Sequence, residues 1–334
     1  MVNPRLVLAQ AKGLDIFGDT HGQARALTSG LSALGYDNLS GTWRHPSGRK
    51  ALFLGDLIDR GADSRKVLSI VRAMVEAGEA VCLMGNHELN AVHFALPHPD
   101  SRKGHLRERS DKNMFQHIAF LHEYRSPDAR EVLAADLNFM QGLPIMVELD
   151  GLRAVHACWN AAELAHFTPD ELSGQARDQS FWLRTATPGG HLHRAAEVLL
   201  KGPERRLPQD RHFLDKDGHK RTQARIRWWS NSSDPADWFI GPPSLEDVVR
   251  DLEDCDISEY QYAVTERPVF FGHYWLRNPE GRPQLTRQPN VQCLDFSVGS
   301  GHGQLGVYKW SGEEQLSARN MLAISADGSQ IFTA

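Results

Sequence analysis

Three short apolar segments in the first 95 residues are each followed by a glycine and then by a polar residue. The segments are GLDIF, KALFL and EAVCLM, at residues 13–17, 50–54 and 79–84. Apolar residues at helical spacing follow them, so the sequence alternates between strand, loop and helix. This alternation predicts an α/β layer arrangement, in which ligands bind beyond the carboxyl ends of the strands.

Side chains that suit a metal ion collect at these strand ends. Asp56 and Asp59 stand three residues apart in LFLGDLIDRG, where Arg60 and Gly61 follow directly. Neighbouring carboxylates repel each other and lose hydration unless a positive charge lies between them. Oxygen donors and imidazole without thiolate suit Mn²⁺, Fe²⁺/Fe³⁺ or Zn²⁺. The other polar residues at predicted strand ends are Asp19, His21, Asn86, His87, Glu88, His156 and His273.

Such a set is large enough for two metal ions that share one carboxylate. Two ions about 3.5–4 Å apart clamp an in-line displacement at phosphorus and acidify a water between them. A short GDTHG segment or a single histidine at a strand end is more often structural, whereas GDLIDRG and GNHE are each a stronger signal for a metal site. The order of all five segments, each at a strand end, is what predicts the metal site.

The composition is that of an ordinary globular protein. The 334 residues are 41% hydrophobic and 24% charged, with a formal net charge of −5. A negative net charge makes nucleic acid an unexpected partner, and no apolar run reaches the ~20 residues of a transmembrane helix. The N-terminus shows no signal peptide, so we expect a cytoplasmic protein. The cysteines are too scattered for a disulfide framework or a zinc knuckle: Cys82, Cys158, Cys255 and Cys293.

The motifs GDTHG, GDLIDRG and GNHE resemble the three signatures of the calcineurin-like metallophosphoesterases. The Asp-Arg-Gly ending resembles the phosphoprotein phosphatase branch in particular. The resemblance is most specific over 15–95 and weaker over 143–160 and 266–312. It implies an α/β fold, a double β-sandwich flanked by helices, in a single domain over 1–334. It also implies a phosphoester hydrolase with two ions, Mn²⁺ or Fe²⁺/Fe³⁺ or Zn²⁺, and a bridging water as the nucleophile.

The resemblance also implies a role for each matched residue. His87 would protonate the leaving oxygen, and Asp59 would orient His87. Arg60 would bind the phosphoryl group together with Asn86, and Asp56 would bridge the two ions. These roles agree with the chemistry, because phosphoester hydrolysis needs neutralised phosphoryl oxygens and a proton for the leaving oxygen. The implied metal ligands are Asp19, His21, Asp56, Asn86, His156 and His273.

The substrate class stays open in the sequence. A phosphomonoesterase of the phosphoprotein phosphatase type is the first interpretation, with a phosphoprotein or a nucleotide as the partner. Ala157 and Cys158 follow His156 where protein phosphatases usually have two glycines, and the C-terminal segments are similar to symmetrical diadenosine tetraphosphate hydrolases. Cys158 is expected to be a packing residue rather than a soft ligand. A non-catalytic metal-binding scaffold is the third interpretation, against which the intact His87 and Arg60 argue.

Residues 160–262 lack the strand pattern, and we expect an inserted, mostly helical or irregular cap that sets substrate specificity. Its stretch 201–227 has nine Lys or Arg residues against four Asp or Glu, which indicates either a solvated face or a surface beside a polyanionic substrate. We expect Trp228 and Trp229 to pack in the core rather than to stack on a base. The GxGxxG pattern at 301–306 precedes a strand-like segment, which argues against a dinucleotide site.

Overall fold

The computed structural model describes residues 4–207, 211–214, 220–249, 256–278 and 281–334. Cys255 and two parts of the basic stretch, 208–210 and 215–219, lie outside these residues. The helices are α1 (Pro4–Ala9), α2 (Ala24–Ala33), α3 (Ser64–Glu76), α4 (Asn86–Ala95), α5 (Asp111–Gln116), α6 (Ile118–His122), α7 (Arg130–Gln141), α8 (Ala161–Leu164), α9 (Pro169–Ser173), α10 (Gln179–Ala186), α11 (His191–Lys201) and α12 (Pro243–Val249). The strands are β1 (Leu14–Phe17), β2 (Lys50–Phe53), β3 (Ala80–Cys82), β4 (Met146–Glu148), β5 (Arg153–Val155), β6 (Glu204–Arg206), β7 (Phe213–Leu214), β8 (Lys220–Arg221), β9 (Gln223–Ile226), β10 (Phe239–Ile240), β11 (Val269–Phe271), β12 (Val291–Cys293), β13 (Asp295–Phe296), β14 (Gln304–Trp310), β15 (Met321–Ser325) and β16 (Ile331–Thr333).

Two sheets contain the strands that lead to the predicted site. The larger sheet has the order β16-β15-β14-β1-β2-β3, with β13 beside β14. Within it β1, β2 and β3 run parallel, and β14 is antiparallel to β1. The smaller sheet has the order β12-β11-β5-β4, in which β11 is parallel to both of its neighbours. The parallel strands therefore end at the same edge of each sheet.

Alternate residues along each strand separate two apolar layers. Leu52 of β2 packs in one cluster with Ala154 and Phe270 of the smaller sheet. Phe53, the next residue along β2, belongs to a second cluster that includes the apolar faces of α2 and α3. Because the side-chain period of a strand is two, one face of each sheet fills the interior and the other packs on helices. The predicted double sandwich flanked by helices is confirmed.

The inserted segment, residues 160–262, lies between two neighbouring strands of the smaller sheet. β5 ends at Val155, and β11, which pairs directly with β5, begins at Val269. Helices and irregular stretches occupy most of the segment, as predicted. The sequence analysis did not foresee its small antiparallel sheet, which has the order β10-β9-β6. Strands of two to four residues are too short for the alternation that identifies a strand in a sequence.

Apolar side chains attach the inserted segment to the outer face of the smaller sheet. Trp228 and Trp229 pack on Phe271, with ring centroids 4.8 and 4.7 Å away. The Trp228 indole N–H also donates to the Ala157 carbonyl at 3.0 Å. Cys158 is fully buried in the same cluster. Core packing of the two tryptophans and a packing role for Cys158 are thus confirmed.

Two further expectations concern the C-terminal part and the membrane. The 301–306 segment leads into strand β14, which begins at Gln304, and not into a helix. This agrees with the interpretation that the glycine pattern is not a dinucleotide site. In the part of the chain that the structure describes, the helices are all too short or too polar to cross a bilayer. The cytoplasmic location stays a prediction.

Candidate metal centre

The carboxyl ends of β1, β2, β3, β5 and β11 all lead into loops that carry predicted site residues. Each predicted site residue lies within about seven residues of the end of its strand, so its side chain stays close to the edge of the sheets. Arg60 is exposed, whereas the other predicted site residues are buried. In chain order, these strand ends are followed by Asp19 and His21, then by Asp56, Asp59 and Arg60, then by Asn86 and His87 at the start of α4, then by His156, and last by His273.

Asp56 lies at the centre of this set. Its Oδ2 is 3.6 Å from His21 Nε2, and its Oδ1 is 3.4 Å from His156 Nε2. Ligand atoms of His21, Asp56 and His87 lie within 4.8 Å of one another, and so do those of Asp56, His156 and His273. The Asp56 carboxylate is therefore common to two groups of buried donor atoms.

Asn86 and Asp19 lie against the same groups. Asn86 Oδ1 is 2.8 Å from His273 Nδ1 and 3.1 Å from His156 Nε2. Asp19 Oδ2 is 4.0 Å from His21 Nε2 and accepts the backbone N–H of His273 at 3.1 Å. The structure thus brings all six predicted metal ligands together in one buried cluster.

The backbone of these loops adopts conformations that most residues avoid. In the described part of the chain, seven residues other than glycine have a positive φ, and all belong to the loops at this edge. Glycines allow close approach: a Cβ on Gly272 would lie 1.9 Å from Asp19 Oδ1, and one on Gly85 would lie 2.2 Å from Asp56 Oδ1. Strain of this kind accumulates at functional sites. The seven residues are His21, Asp56, Asp59, Arg60, His273, Trp275 and Ser297.

Burial and crowding of like charges decide the protonation of the cluster. Burial, Asp295 and Asp56 raise the pKa of Asp19 well above its usual value. Burial lowers the pKa of His21 to about 3 and also lowers the pKa of His273, so both imidazoles are neutral. Within the described residues, the Nε2 atoms of His21 and His273 are buried without a hydrogen-bond partner. Crowded carboxylates and unpaired imidazole nitrogens together fit a transition-metal ion.

His87 and Asp59 form a hydrogen-bonded pair beside the cluster. His87 Nδ1 is 2.6 Å from Asp59 Oδ2, while His87 Nε2 is 3.9 Å from Asp56 Oδ2. Burial opposes the charge on the imidazole, but Asp56 and Asp59 outweigh it and raise the pKa of His87 above its usual value. Burial also opposes the charge on Asp59, yet hydrogen bonds from His117 and His87 keep the pKa of Asp59 below its usual value. Both shifts favour the charged form, an imidazolium at His87 beside a carboxylate at Asp59.

Arg60 lies at the exposed mouth of the cluster. Its guanidinium carbon is 4.1 Å from the centre of the Trp275 ring, a distance at which the cation is attracted to the ring face. The Trp275 backbone N–H donates to Asp295 Oδ2 at 2.7 Å, which fixes the loop. A Cβ on Gly299 would lie 2.7 Å from both Arg60 Cδ and His21 Cδ2. The glycine therefore leaves the room that the guanidinium needs.

A family profile described as calcineurin-like phosphoesterase matches residues 14–273, from the start of β1 to the last of the predicted metal ligands. The chain belongs to the calcineurin-like phosphoesterases. Both the resemblance and the expectation of a phosphoester hydrolase are thereby confirmed. The family also implies divalent metal ions, which agrees with the donor atoms gathered around Asp56.

Comparison with curated proteins gives shorter matches. The asymmetrical bis(5'-nucleosyl)-tetraphosphatase PrpE of Oceanobacillus iheyensis is 42% identical over 74 residues, which are 22% of this chain and 30% of that protein. The protein of the same name from Geobacillus thermodenitrificans is 46% identical over 83 residues, 25% of this chain and 34% of that protein. The chain thus spans about a third of the length of the curated relatives it matches.

Solved structures of other phosphatases align along nearly the whole chain. The cold-active protein-tyrosine phosphatase of a Shewanella species is 15% identical with a TM-score of 0.48, covering 97% of this chain and 80% of that chain. A protein serine/threonine phosphatase from Saccharomyces cerevisiae is 14% identical with a TM-score of 0.45 and the same two coverages, 97% and 80%. Since both TM-scores are below 0.5, membership of the calcineurin-like phosphoesterases rests on the family profile.

Glu88 supports the phosphoesterase site although the sequence analysis gave it no role. Its carboxylate accepts the backbone N–H groups of Asp56, Leu57 and Gly85 at 2.8, 2.8 and 2.9 Å. Burial and Asp56 raise the pKa of Glu88 to about 7. Glu88 thereby ties the loop after β2 to the start of α4. Its place in the GNHE motif was the signal for this role.

Asp295 and His117 are two more site residues that the sequence analysis did not assign. Asp295 accepts the backbone N–H of Ser297 at 2.9 Å as well as that of Trp275. It stands in the segment VQCLDF, where a carboxylate among apolar residues is a usable signal. His117 Nδ1 is 2.8 Å from Asp59 Oδ2. His117 lies in a charged helical stretch without a motif, so nothing in the sequence distinguishes it from a surface residue.

Proposed function

We propose that this protein hydrolyses phosphomonoesters at a two-metal centre built around Asp56. The observation that carries the proposal is that Asp56 belongs to two groups of buried donor atoms, one of which includes His21 and the other His156. A carboxylate shared by two such groups suits a pair of ions that act together on one phosphoryl group. The six proposed ligands are Asp19, His21, Asp56, Asn86, His156 and His273.

The donor atoms suit manganese or iron, with zinc as a further choice. Carboxylate and amide oxygens combined with neutral imidazole nitrogens favour Mn²⁺, Fe²⁺/Fe³⁺ or Zn²⁺ over the softest ions. When bound, the ions supply Lewis acidity, which lowers the pKa of a water and neutralises charge on the phosphoryl oxygens.

The remaining steps fall to side chains of the protein. Arg60 binds the phosphoryl group through two parallel N–H bonds, and Asn86 donates to the same group from its amide nitrogen. His87 gives the proton on Nε2 to the leaving oxygen. Asp59 accepts the N–H at Nδ1, which fixes the direction of the ring. The 2.6 Å hydrogen bond between His87 and Asp59 supports this division of roles.

A nucleotide with several phosphates is the second candidate substrate. The short matches to proteins named asymmetrical bis(5'-nucleosyl)-tetraphosphatases favour it. The sequence analysis had instead noted a similarity of the C-terminal segments to symmetrical hydrolases. Arg225 of β9 also supports a substrate with several charges, because its charge adds to burial in lowering the pKa of His273. We propose that the chain is a single domain and that the inserted segment sets substrate specificity through residues such as Arg225.

Metal analysis combined with an assay of p-nitrophenyl phosphate tests the proposal. We expect about two ions per chain, turnover that a chelator abolishes, and recovery of turnover when Mn²⁺ is added back. Unchanged turnover in metal-free protein would contradict the proposal. Metal binding without hydrolysis of any phosphoester would instead favour a non-catalytic scaffold.

A substrate panel then separates the two candidates. It contains phosphopeptides, mononucleotides and dinucleoside tetraphosphates, compared by kcat/KM. Product analysis of the tetraphosphate distinguishes the two cleavage modes, because symmetrical cleavage gives two nucleoside diphosphates and asymmetrical cleavage gives a triphosphate and a monophosphate. A preference for phosphopeptides over both nucleotide classes would exclude the second candidate.

A further inference from the structure

His117 contacts the same carboxylate oxygen that holds His87. Its Nδ1 is 2.8 Å from Asp59 Oδ2, and His87 Nδ1 is 2.6 Å from that oxygen. All three side chains are buried. An N–H from each imidazole donates to one oxygen, so His117, Asp59 and His87 form an unbroken pair of hydrogen bonds.

The helices that present His117 are also attached to the start of α3, directly after the loop that carries Asp59. His117 lies at the junction of α5 and α6. Glu123, directly after α6, accepts the backbone N–H groups of Ser64 and Arg65 at 2.7 and 3.0 Å. These two residues begin α3, which follows the loop that carries Asp59. The helix α6 is therefore held at both of its ends. His117, before the helix, bonds to Asp59, and Glu123, after the helix, bonds to the start of α3.

The surroundings of His117 show why a histidine stands there. Phe94 packs edge-on against the imidazole, with ring centroids 5.5 Å apart and planes at 61°. His117 Nε2 is buried and has no hydrogen-bond partner among the described residues. An unpaired buried nitrogen costs free energy that an apolar side chain of similar shape would avoid. The hydrogen bond to Asp59 is therefore what distinguishes histidine from an apolar residue at this position.

We propose that His117 is a positioning residue, which holds the Asp59 carboxylate in the orientation that directs His87 at the leaving oxygen. With His117 absent, Asp59 is free to rotate about its terminal torsion and to carry the His87 ring with it. His117 does not itself touch the phosphoryl group. The inference rests on the proposed function, in which His87 is the proton donor.

Three variants separate this hydrogen bond from the packing of the helix. His117→Ala removes the donor. His117→Asn keeps a donor, because the amide nitrogen of asparagine occupies nearly the position of the imidazole Nδ1. His122→Asn is the matched control, since His122 lies on α6, is exposed, and contacts the Arg125 side chain. Thermal unfolding of each variant shows whether the fold is kept.

Turnover of an alkyl phosphate and of p-nitrophenyl phosphate gives the first readout. A poor leaving group needs the proton from His87, whereas p-nitrophenolate leaves readily without it. We expect His117→Ala to lower kcat about tenfold for the alkyl phosphate and less than about twofold for p-nitrophenyl phosphate, with KM unchanged. His117→Asn should recover most of the loss, and His122→Asn should equal the wild type.

Nuclear magnetic resonance of ¹⁵N-histidine-labelled protein gives a second readout that needs no turnover. The imidazole N–H signal of His87, assigned by its absence in His87→Ala, should shift and exchange faster with water in His117→Ala. It should stay near its wild-type position in His117→Asn.

An unmoved His87 signal in His117→Ala would overturn the inference. Equal losses of kcat for both substrates, or an Asn variant no better than the Ala variant, would overturn it as well. A wild type without metal-dependent turnover would instead reject the proposed function, while the resonance measurement would still report whether His117 restrains the Asp59–His87 pair.

Discussion

The loops at the strand ends and the inserted segment 160–262 are stabilised in opposite ways. In the loops, buried polar side chains hold one another and the backbone across long stretches of sequence, as Glu88 does for the loop after β2. In the inserted segment, short-range capping and apolar packing dominate. Three of its helices begin with side-chain caps, at Asn160, Thr168 and Asp178, and many of its apolar side chains belong to the buried cluster that contains Trp228.

The backbone shows the same difference. In the part of the chain that the structure describes, non-glycine residues with a positive φ belong to the loops, and none belongs to the inserted segment. The comparison teaches that the structure of the loops depends on the identity and charge of each side chain. The structure of the inserted segment depends on the volume of its apolar side chains and on the caps of its helices. Substitutions that preserve shape should therefore be harmful in the loops and tolerated in the inserted segment.

The largest difference in activity between the two regions should come from a substitution that removes one charge and keeps the shape of the side chain. Asp56→Asn takes the shared carboxylate from both groups of donor atoms, so metal content should fall. Loss of a residue that merely supports a metal ligand costs about 10–100-fold in affinity or activity, and Asp56→Asn should cost more than that in kcat/KM. Metal analysis and the p-nitrophenyl phosphate assay measure both effects.

The matched control is Asp178→Asn in the inserted segment. Asp178 is exposed and caps α10 by accepting the Phe181 N–H at 2.8 Å, and asparagine caps a helix about as well as aspartate. The control should keep both its metal and its activity. If Asp56→Asn retained activity like the control, the shared carboxylate would not be the centre of the site.

The addition of a single methyl group at Gly272 should give the next largest loss of activity. In Gly272→Ala the new Cβ would lie 1.9 Å from Asp19 Oδ1, so that carboxylate must move. A shift of about 1 Å at a reacting centre costs up to about 10²-fold in rate, and kcat should fall accordingly while the protein remains folded. Gly190→Ala is the control, because its new Cβ would meet nothing closer than 3.4 Å. Equal activity of the two variants would show that Asp19 tolerates displacement.

The two regions meet at α4, which carries Asn86 and His87 at its start and His93 in its last turn. His93 Nε2 donates to Thr185 Oγ1 of α10 at 3.0 Å. Burial, with Lys201 and Arg107 nearby, lowers the pKa of His93 to about 3. Because this pKa lies below the unfolded value of about 6.5, the neutral ring stabilises the fold above pH 6.5, and this stability is lost as the pH falls toward 3.

Replacing His93 should therefore reduce the acid sensitivity of the fold. From pH 7 to pH 5, the wild type should lose about 2 kcal/mol through this group, and His93→Gln should not, since glutamine keeps the donor and does not titrate there. Urea unfolding at both pH values gives the difference. His122→Gln, at an exposed histidine, should behave like the wild type. An identical pH response of His93→Gln would place the acid sensitivity elsewhere.

Many of the strands and the site residues at their ends could be predicted from the sequence, because short local segments determine them. The strands before Asp19, Asp56 and Asn86 are short apolar segments that are followed by glycine, and parallel strands bring such ends together. The family resemblance then supplied the ligands that lie farther along the chain, His156 and His273. The structure places all of these residues in one cluster, as the sequence analysis anticipated.

The parts that were not predicted depend on contacts between distant stretches. His117 reaches Asp59 because α6 packs on α3, which follows the loop that carries Asp59. No local sequence pattern records that packing. The sheet β10-β9-β6 exists because short segments pair with one another, as Arg205 of β6 does with Ala224 of β9. Charge composition alone likewise did not show that the charge of Arg225 acts on His273.

Replacing Arg225 should give the smallest change in activity. It also tests most directly whether the inserted segment helps the loops to bind a substrate. Arg225 lies opposite Glu204 in the pairing of β9 with β6, and its Nε is 3.9 Å from Glu204 Oε1. Its charge adds to burial in lowering the pKa of His273.

We expect Arg225→Gln to raise KM for a dinucleoside tetraphosphate on the order of two- to fivefold, as fits one partly exposed charge. KM for p-nitrophenyl phosphate should not change, because the metal ligands and Arg60 hold a small dianion. The salt dependence of kcat/KM for the tetraphosphate should also become weaker, since fewer charges remain to be screened.

Arg205→Gln is the matched control. Arg205 is the neighbour of Glu204 on β6, so its side chain points to the other face of the sheet. It donates to the Asp256 carbonyl at 3.3 Å. The same rise of KM in both variants would reduce the effect to net charge, and no rise in either would remove the inserted segment from substrate binding.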